Sequence, residues 1–165
     1  MSDPTRGGPH PQSKLVSDVM TRDVLTVGPD QSVDDAVAVI VDNVITSVPV
    51  VDLEHHCVGI VSESDLLGKP GSAVRDIMTR DVVTVEERCS LDDAAEVFLT
   101  RRIRRLPVIR DGRLVGVLTR ADLLRHVRET RWVCEWCGTT ESGVRPPNAC
   151  PVCGGTTWHL VAERR

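Results

Sequence analysis

The stretch Val19-Met20-Thr21-Arg22-Asp23-Val24-Leu25-Thr26-Val27 returns as Ile77-Met78-Thr79-Arg80-Asp81-Val82-Val83-Thr84-Val85, 58 residues later. The echo continues outward. Ser32-Val33-Asp34-Asp35-Ala36 matches Ser90-Leu91-Asp92-Asp93-Ala94, and Val48-Pro49-Val50-Val51 matches Leu106-Pro107-Val108-Ile109. Gly59-Ile60-Val61-Ser62 through Asp65-Leu66-Leu67 reappears as Gly116-Val117-Leu118-Thr119 through Asp122-Leu123-Leu124, now offset by 57, so the second copy lacks one residue after Val51. A tandem repeat of this length predicts two similar units packed together, with any shared site on or near a pseudo-twofold axis.

Each copy reads as a small α/β unit. Ser32 and Ser90 precede amphipathic segments, with Asp35 and Asp93 three residues on, an acidic capping box that starts a helix. Val33, Ala36, Val37, Ile40 and Val41 share one helical face, as do Leu91, Ala94, Ala95, Phe98 and Leu99. Extended runs follow at 48–51 and 106–109, where proline favours a strand edge or start. Asp111-Gly112 favours a tight hairpin turn; the first copy has the longer Asp52-Leu53-Glu54-His55-His56. Strands at 57–61 and 114–118 complete the hairpins, and second helices start after Ser62 and Thr119. The order is short strand, helix, strand, strand, helix, twice over, with 68–73 as linker. A unit of about 50 residues is marginal alone, so the two should pack into one disc.

The 165 residues are 41% hydrophobic and 27% charged, an ordinary globular composition. With one Phe, three Trp and no Tyr, the core must be aliphatic. A net charge of −4 argues against a whole-surface footprint for nucleic acid. No apolar run approaches the ~20 residues of a membrane span, and residues 1–14, rich in Pro, Gly and polar groups, read as a disordered tail rather than a signal peptide. The expected location is cytoplasmic.

The repeats resemble a pair of CBS domains, the tandem arrangement called a Bateman module. The opening Met-Thr, the Val-Pro-Val-Val and Leu-Pro-Val-Ile strands, and the Gly-x-x-(Ser/Thr)-x-x-Asp endings carry the resemblance over about 16–127. It implies an α/β (α+β) fold of two β-α-β-β-α repeats, here 15–70 and 71–129, and a homodimer of discs. It also implies an adenosine ligand (AMP, ADP, ATP, S-adenosylmethionine, sometimes NAD) in clefts between the repeats. By resemblance, Asp65 and Asp122 would bond ribose hydroxyls while Ser62 and Thr119 approach phosphate. The adenine would lie near Met20, Leu25 and Ile45, or near Met78, Val83 and Ile103. A carboxylate can accept from both vicinal hydroxyls, and a helix start favours an anion; a plain capping box is the blander reading, and both can hold at once.

The copies differ. Arg101, Arg102, Arg104 and Arg105 surround Ile103, where the first copy has Asn43, Val44, Thr46 and Ser47; Arg120 follows Thr119, where Glu63 follows Ser62. Guanidinium groups pair bidentately with phosphate, although helix-end arginines also offset the C-terminal dipole. The expectation is a better site combining Asp122, Thr119 and Arg104 with Thr46 and Ser47, Arg105 and Arg120 being further ligand-binding candidates, and a weak or empty one at Asp65.

Residues 130–165 form a separate segment. Cys134-Glu135-Trp136-Cys137-Gly138 and Cys150-Pro151-Val152-Cys153-Gly154 are two CxxC knuckles twelve residues apart. Four thiolates on two tight turns suit tetrahedral zinc, with iron as the alternative. The segment resembles a zinc ribbon, and its Cys-Pro-x-Cys-Gly form is similar to rubredoxin knuckles, with a shorter spacer and sparse aromatics. It has too few apolar residues to fold without metal. Cys57, His55 and His56 are read as part of a hairpin turn rather than a metal site.

No Ser-His-Asp set, P-loop or HExxH motif occurs, which disfavours an enzyme. The expected protein is an adenosine-nucleotide-sensing regulator whose ribbon meets a protein partner. Two other classes stay open: a ligand-controlled nucleic-acid-binding factor, although 125–165 holds six Arg against four acidic residues, and a rubredoxin-like iron electron carrier.

Overall fold

The computed structural model describes residues 14–162. The tail expected at 1–14 lies outside them except for Lys14, whose carbonyl accepts from Leu91 N at 3.0 Å and so belongs to the folded chain. The described residues form two compact units that cut across the repeats. One holds Met20–Glu87 and Arg105–Leu118, the other 14–19, Arg88–Arg104 and 119–162.

The first unit contains α1 (Val33–Asp42), β1 (Ser47–Val51), β2 (Cys57–Ser62), α2 (Glu63–Gly68), α3 (Val74–Ile77), β3 (Val85–Glu86), β4 (Arg105–Arg110) and most of β5 (Arg113–Thr119). Ser32 Oγ accepts from Asp35 N at 3.1 Å while Asp35 Oδ2 accepts from Ser32 N at 3.0 Å, the reciprocal box that starts α1. The expected apolar face is corrected on one side. Ala36 and Ile40 are buried with Val48, Val50, Val61, Val74 and Ile77, and Val33 and Val39 pack against them. Val37 and Val41, 38% and 65% exposed, lie roughly 100° or more around the helix from Ala36, on its flank.

Strands β1 and β2 pair antiparallel, Ser47 opposite Ser62, with a bulge at Val50/Val51. Pro49 is neither first nor exposed: it is the third of five residues and buried. Ile60 opposite turns its N–H and C=O to Thr79, so Pro49 stands at a position that owes β2 no hydrogen bond. Its carbonyl accepts from Val27 N at 3.1 Å instead. The opening strand is thereby reduced to one parallel bridge, Val27 to Val50, in the first copy; in the second it is β3, parallel to β4. Strands β4 and β5 join through Asp111 (φ 52°) and Gly112 (φ 78°), both left-handed as a type I′ turn requires.

The copies exchange their openings. Thr21 makes two backbone hydrogen bonds to Val117 of β5, at 3.0 and 2.9 Å, and Thr79 makes the equivalent pair to Ile60 of β2. Met20 then lies on Gly116 and Met78 on Gly59. A Cβ on Gly116 would fall 2.5 Å from Met20 Sδ and 3.0 Å from the Thr21 carbonyl oxygen. Gly116→Ala is therefore expected to cost about 1–3 kcal/mol by overpacking. It should lower the denaturant midpoint at constant slope, whereas Gly68→Ala, with nothing within 4 Å, should not.

The second unit starts with a 3-10 turn (Val16–Asp18), followed by α4 (Leu91–Arg101), α5 (Arg120–Glu129) and the three-stranded sheet of β6 (Thr130–Cys134), β7 (Thr140–Ser142) and β8 (Trp158–Ala162), ordered β7-β6-β8. As on α1, Ala94 and Phe98 are buried and Leu99 is exposed. Helix α5 passes straight into β6, where Thr130 Oγ1 donates to His126 O at 2.7 Å. His126 is buried. Burial and then Lys14 hold its pKa below the ordinary 6.5 against the pull of Glu129, Asp92 and Asp18. As pH falls below 6.5 the unfolded chain takes up a proton that folded His126 refuses, so stability should drop until the folded pKa is reached. His126→Gln should flatten that acid slope in melts between about pH 7 and 5.

Candidate functional site

The Ser/Thr-x-x-Asp ends have one geometry in both copies. Asp65 Oδ2 accepts from Ser62 N at 2.8 Å and from Ser62 Oγ at 2.5 Å. Asp122 Oδ2 accepts from Thr119 N at 2.8 Å and Thr119 Oγ1 at 2.7 Å. Each carboxylate, 7% exposed, thus caps its helix with one oxygen and keeps the other for a different partner. For Asp65 Oδ1 these are Lys69 Nζ at 2.7 Å and Thr79 Oγ1 at 3.3 Å; for Asp122 Oδ1 it is Arg125 Nη1 at 3.0 Å. Burial pushes the Asp65 carboxyl up, but Lys69 and Ser62 more than offset it and leave it below its ordinary value.

The start of each preceding strand is tied to the same helix. Glu63 N donates to Thr46 O at 3.1 Å, and Arg120 N to Arg104 O at 3.4 Å. Ile45 packs on the first unit's core, Thr46 is half-buried and Ser47 buried. Met20 and Met78 are buried at their glycines, Leu25 is exposed, and Val83 and Ile103 are half-buried. Two of the three predicted phosphate arginines have main-chain partners: Arg105 Nη1 donates to Ser47 O at 3.4 Å and Arg120 Nη2 to Phe98 O at 3.1 Å. Arg104 is exposed, and Arg102 takes the left-handed conformation at the end of α4 (φ 54°), as Val44 does after α1 (φ 53°). Lys69, Thr79 and Arg125 are not among the residues expected at the site. Lys69 and Arg125 carry a sequence signal, standing four and three residues after their aspartates on a helix.

The cysteines converge. The Sγ atoms of Cys134, Cys137, Cys150 and Cys153 all lie within 4.8 Å of one another, Cys134 to Cys153 and Cys137 to Cys150 at 3.6 Å. A tetrahedral zinc with Zn–S of about 2.3 Å would space its sulfurs about 3.8 Å apart, so the donor set fits such an ion. The two knuckles are alike: Gly138 N donates to Cys134 O and Gly154 N to Cys150 O, both at 2.9 Å, through glycines at φ 76° and 73°. The Thr139 hydroxyl and amide lower Cys137 to about 6. Cys153, despite the Gly155 amide, is pushed up to about 12 by its sulfur neighbours, Cys137 first. Four sulfurs this close form a donor set that could hold a metal ion. The hairpin group Asp52, Glu54 and His56 is also close-set, but Asp52 Oδ1 already accepts from Glu54 N and His56 N as the turn residue.

The CBS domain family model matches residues 16–71 and 74–129. The chloroplastic CBS domain-containing protein CBSX1 of Arabidopsis thaliana is 33% identical over 147 residues, covering 67% of this chain and 62% of that protein. Inosine-5'-monophosphate dehydrogenase of Methanocaldococcus jannaschii is 36% identical over 116 residues, 68% of this chain but 23% of the enzyme. That shared part is the CBS region and lends this chain no catalytic domain. Among solved structures, CBSX2 in complex with AMP superposes with a TM-score of 0.65 at 37% identity, covering 67% of this chain and 93% of that one. The CBS domain pair of protein MJ0100, in complex with 5-methylthioadenosine and S-adenosyl-L-methionine, gives 0.64 at 29% identity, covering 68% and 94%. The family matches end before the knuckles, at residue 129. Both repeats, their capped Ser/Thr-x-x-Asp ends and their exchanged Met-Thr openings fall inside them, and the chain belongs to the CBS-domain family as a tandem pair followed by a four-cysteine segment.

Proposed function

We propose that this chain is an adenosine-nucleotide-sensing regulatory protein. Its preferred ligand site is the Thr119 to Asp122 end, with Asp122 holding the ribose and Arg104 and Arg120 nearest the phosphates. The observation that carries this reading is the arrangement at Asp122: Oδ2 caps α5, and among the described residues Oδ1 meets the exposed Arg125 alone, which leaves that oxygen a lone pair for a ribose hydroxyl. The AMP complex of the similar CBSX2 supports the choice of ligand class. Residues 130–165 form a zinc ribbon held by Cys134, Cys137, Cys150 and Cys153, where zinc would supply structure rather than chemistry. Arg145 brings that ribbon to the second repeat: its Nε lies 3.3 Å from Asp92 Oδ1 and its Nη2 3.7 Å from Glu96 Oε2 on α4. The ribbon then presents a ligand-dependent surface to a protein partner. Reduced thiols built as ligands favour the cytoplasm, and no helix among the described residues is long and apolar enough to cross a membrane.

Pairing of two copies is favoured by leucines and valines exposed at equivalent helix positions, Val41 and Leu67 in one unit, Leu99 and Leu124 in the other. A thermal-shift screen tests the ligand class. AMP, ADP, ATP or S-adenosylmethionine should raise the melting temperature saturably and GMP should not; no shift with any of them would contradict the reading. Metal analysis of the same preparation separates zinc, which is colourless, from a red iron site.

A further inference from the structure

Asp65 and Asp122 are equivalent in the repeat, yet their outward oxygens are held by different devices. The Lys69 ammonium lies 2.7 Å from Asp65 Oδ1, donates to Ile77 O at 2.8 Å and reaches Thr79 Oγ1 at 3.3 Å. Three oxygens meet its three protons, so the cation is fully satisfied where it stands. Thr79 in turn donates to the same Oδ1 at 3.3 Å. The oxygen that Asp65 would offer a ribose is therefore occupied by the chain itself, from two directions.

Among the described residues the second copy shows no such device. The residue at the place of Lys69 is His126, buried and bound to Thr130 rather than to Asp122. Asp122 Oδ1 meets Arg125, whose side chain is 67% exposed and makes this one ion pair. A guanidinium has five donors, so Arg125 can keep Asp122 and still turn others to a ligand phosphate. Lys69 has none to spare. Its choice also stands out by composition, since the chain has two lysines among twenty basic residues.

We propose that Lys69 is a built-in bar on the Asp65 site, competing with ribose hydroxyls for Asp65 Oδ1 so that an adenosine ligand is taken at the Asp122 end alone. The proposal rests on the adenylate reading above and assigns Lys69 as the residue that makes the two ends unequal. A ligand entering at Asp65 must dislodge an ammonium with three partners, or share one carboxylate oxygen with it. Removing the ammonium leaves Asp65 capped by Ser62 with one remaining partner on Oδ1, Thr79, just as Asp122 Oδ1 has one, Arg125.

Calorimetric titration of the metal-loaded full chain with AMP tests it. The wild type is expected to bind one equivalent per chain, Lys69→Met two, and Lys69→Met combined with Asp122→Asn one again, now at Asp65. Lys69→Gln, which keeps a neutral donor, gives a second route to the same change should the methionine variant fold poorly, with melting curves as the control. Two equal equivalents in the wild type, or one in every folded Lys69 variant, would overturn the bar while leaving adenylate binding intact. No binding by any form would remove the adenylate reading and the bar with it.

Discussion

Stripping the proposed zinc should unfold residues 130–162 and leave the CBS pair standing. The buried core of this segment is Trp132, Cys134, Cys150 and Trp158, with Leu160 packed against it, so two of its four members are cysteines proposed as metal ligands. So small a core cannot offset the entropy of ordering its three strands. The binding free energy of structural zinc, about 10–16 kcal/mol in comparable small sites near neutral pH, would therefore be the folding free energy of this segment. Cys150→Ser should act like a chelator. The readout is unusually clean, since all three tryptophans, Trp132, Trp136 and Trp158, lie in the ribbon and the chain has no tyrosine. Tryptophan emission should shift to the red on metal removal while the far-ultraviolet dichroism of α1, α4 and α5 persists. Retention of the metal should weaken as pH falls, because the thiols must lose protons to bind it.

Asp122→Asn should weaken AMP binding about 10- to 150-fold, the loss of one hydrogen bond to a charged group. Asparagine keeps an oxygen that can accept from Thr119 N, so α5 stays capped and the melting temperature should change little. Asp65→Asn should leave AMP affinity nearly unchanged, because Lys69 already fills that carboxylate. Equal losses in the two variants would contradict the ranking of the two ends.

Much of this architecture is legible in the sequence because the signals are local. The serine and aspartate of each capping box, the Asp111-Gly112 turn and the CxxC spacing each act within a few residues, and each produces the expected geometry. The duplication adds a second measurement of every element. What escaped is set by distance or brevity. The bridges of Thr21 to Val117 and Thr79 to Ile60 join single residues far apart in the chain, with no period to reveal them. Helix α3 has four residues and is held by Asp76 Oδ2 accepting from Ser72 N and Ala73 N, too short for any apolar face. Val37 and Val41 fit the helical period but not the narrower stripe that the β-hairpin covers. The proposed weakness of the Asp65 end is read in the sequence from Glu63, which is exposed and bonds through its main chain to Thr46. The neighbour that fills that end is Lys69, one helical turn further on.

The central claim is that an adenosine nucleotide binds at an aspartate-capped helix start, the Asp122 end in the wild type. Calorimetric titration of the metal-loaded chain with AMP, beside the Asp65→Asn/Asp122→Asn double variant, measures this directly. Saturable binding by the wild type, and binding weaker by about tenfold or more in the folded double variant, is the predicted result. Binding of equal strength in both, or none in the wild type, would contradict it.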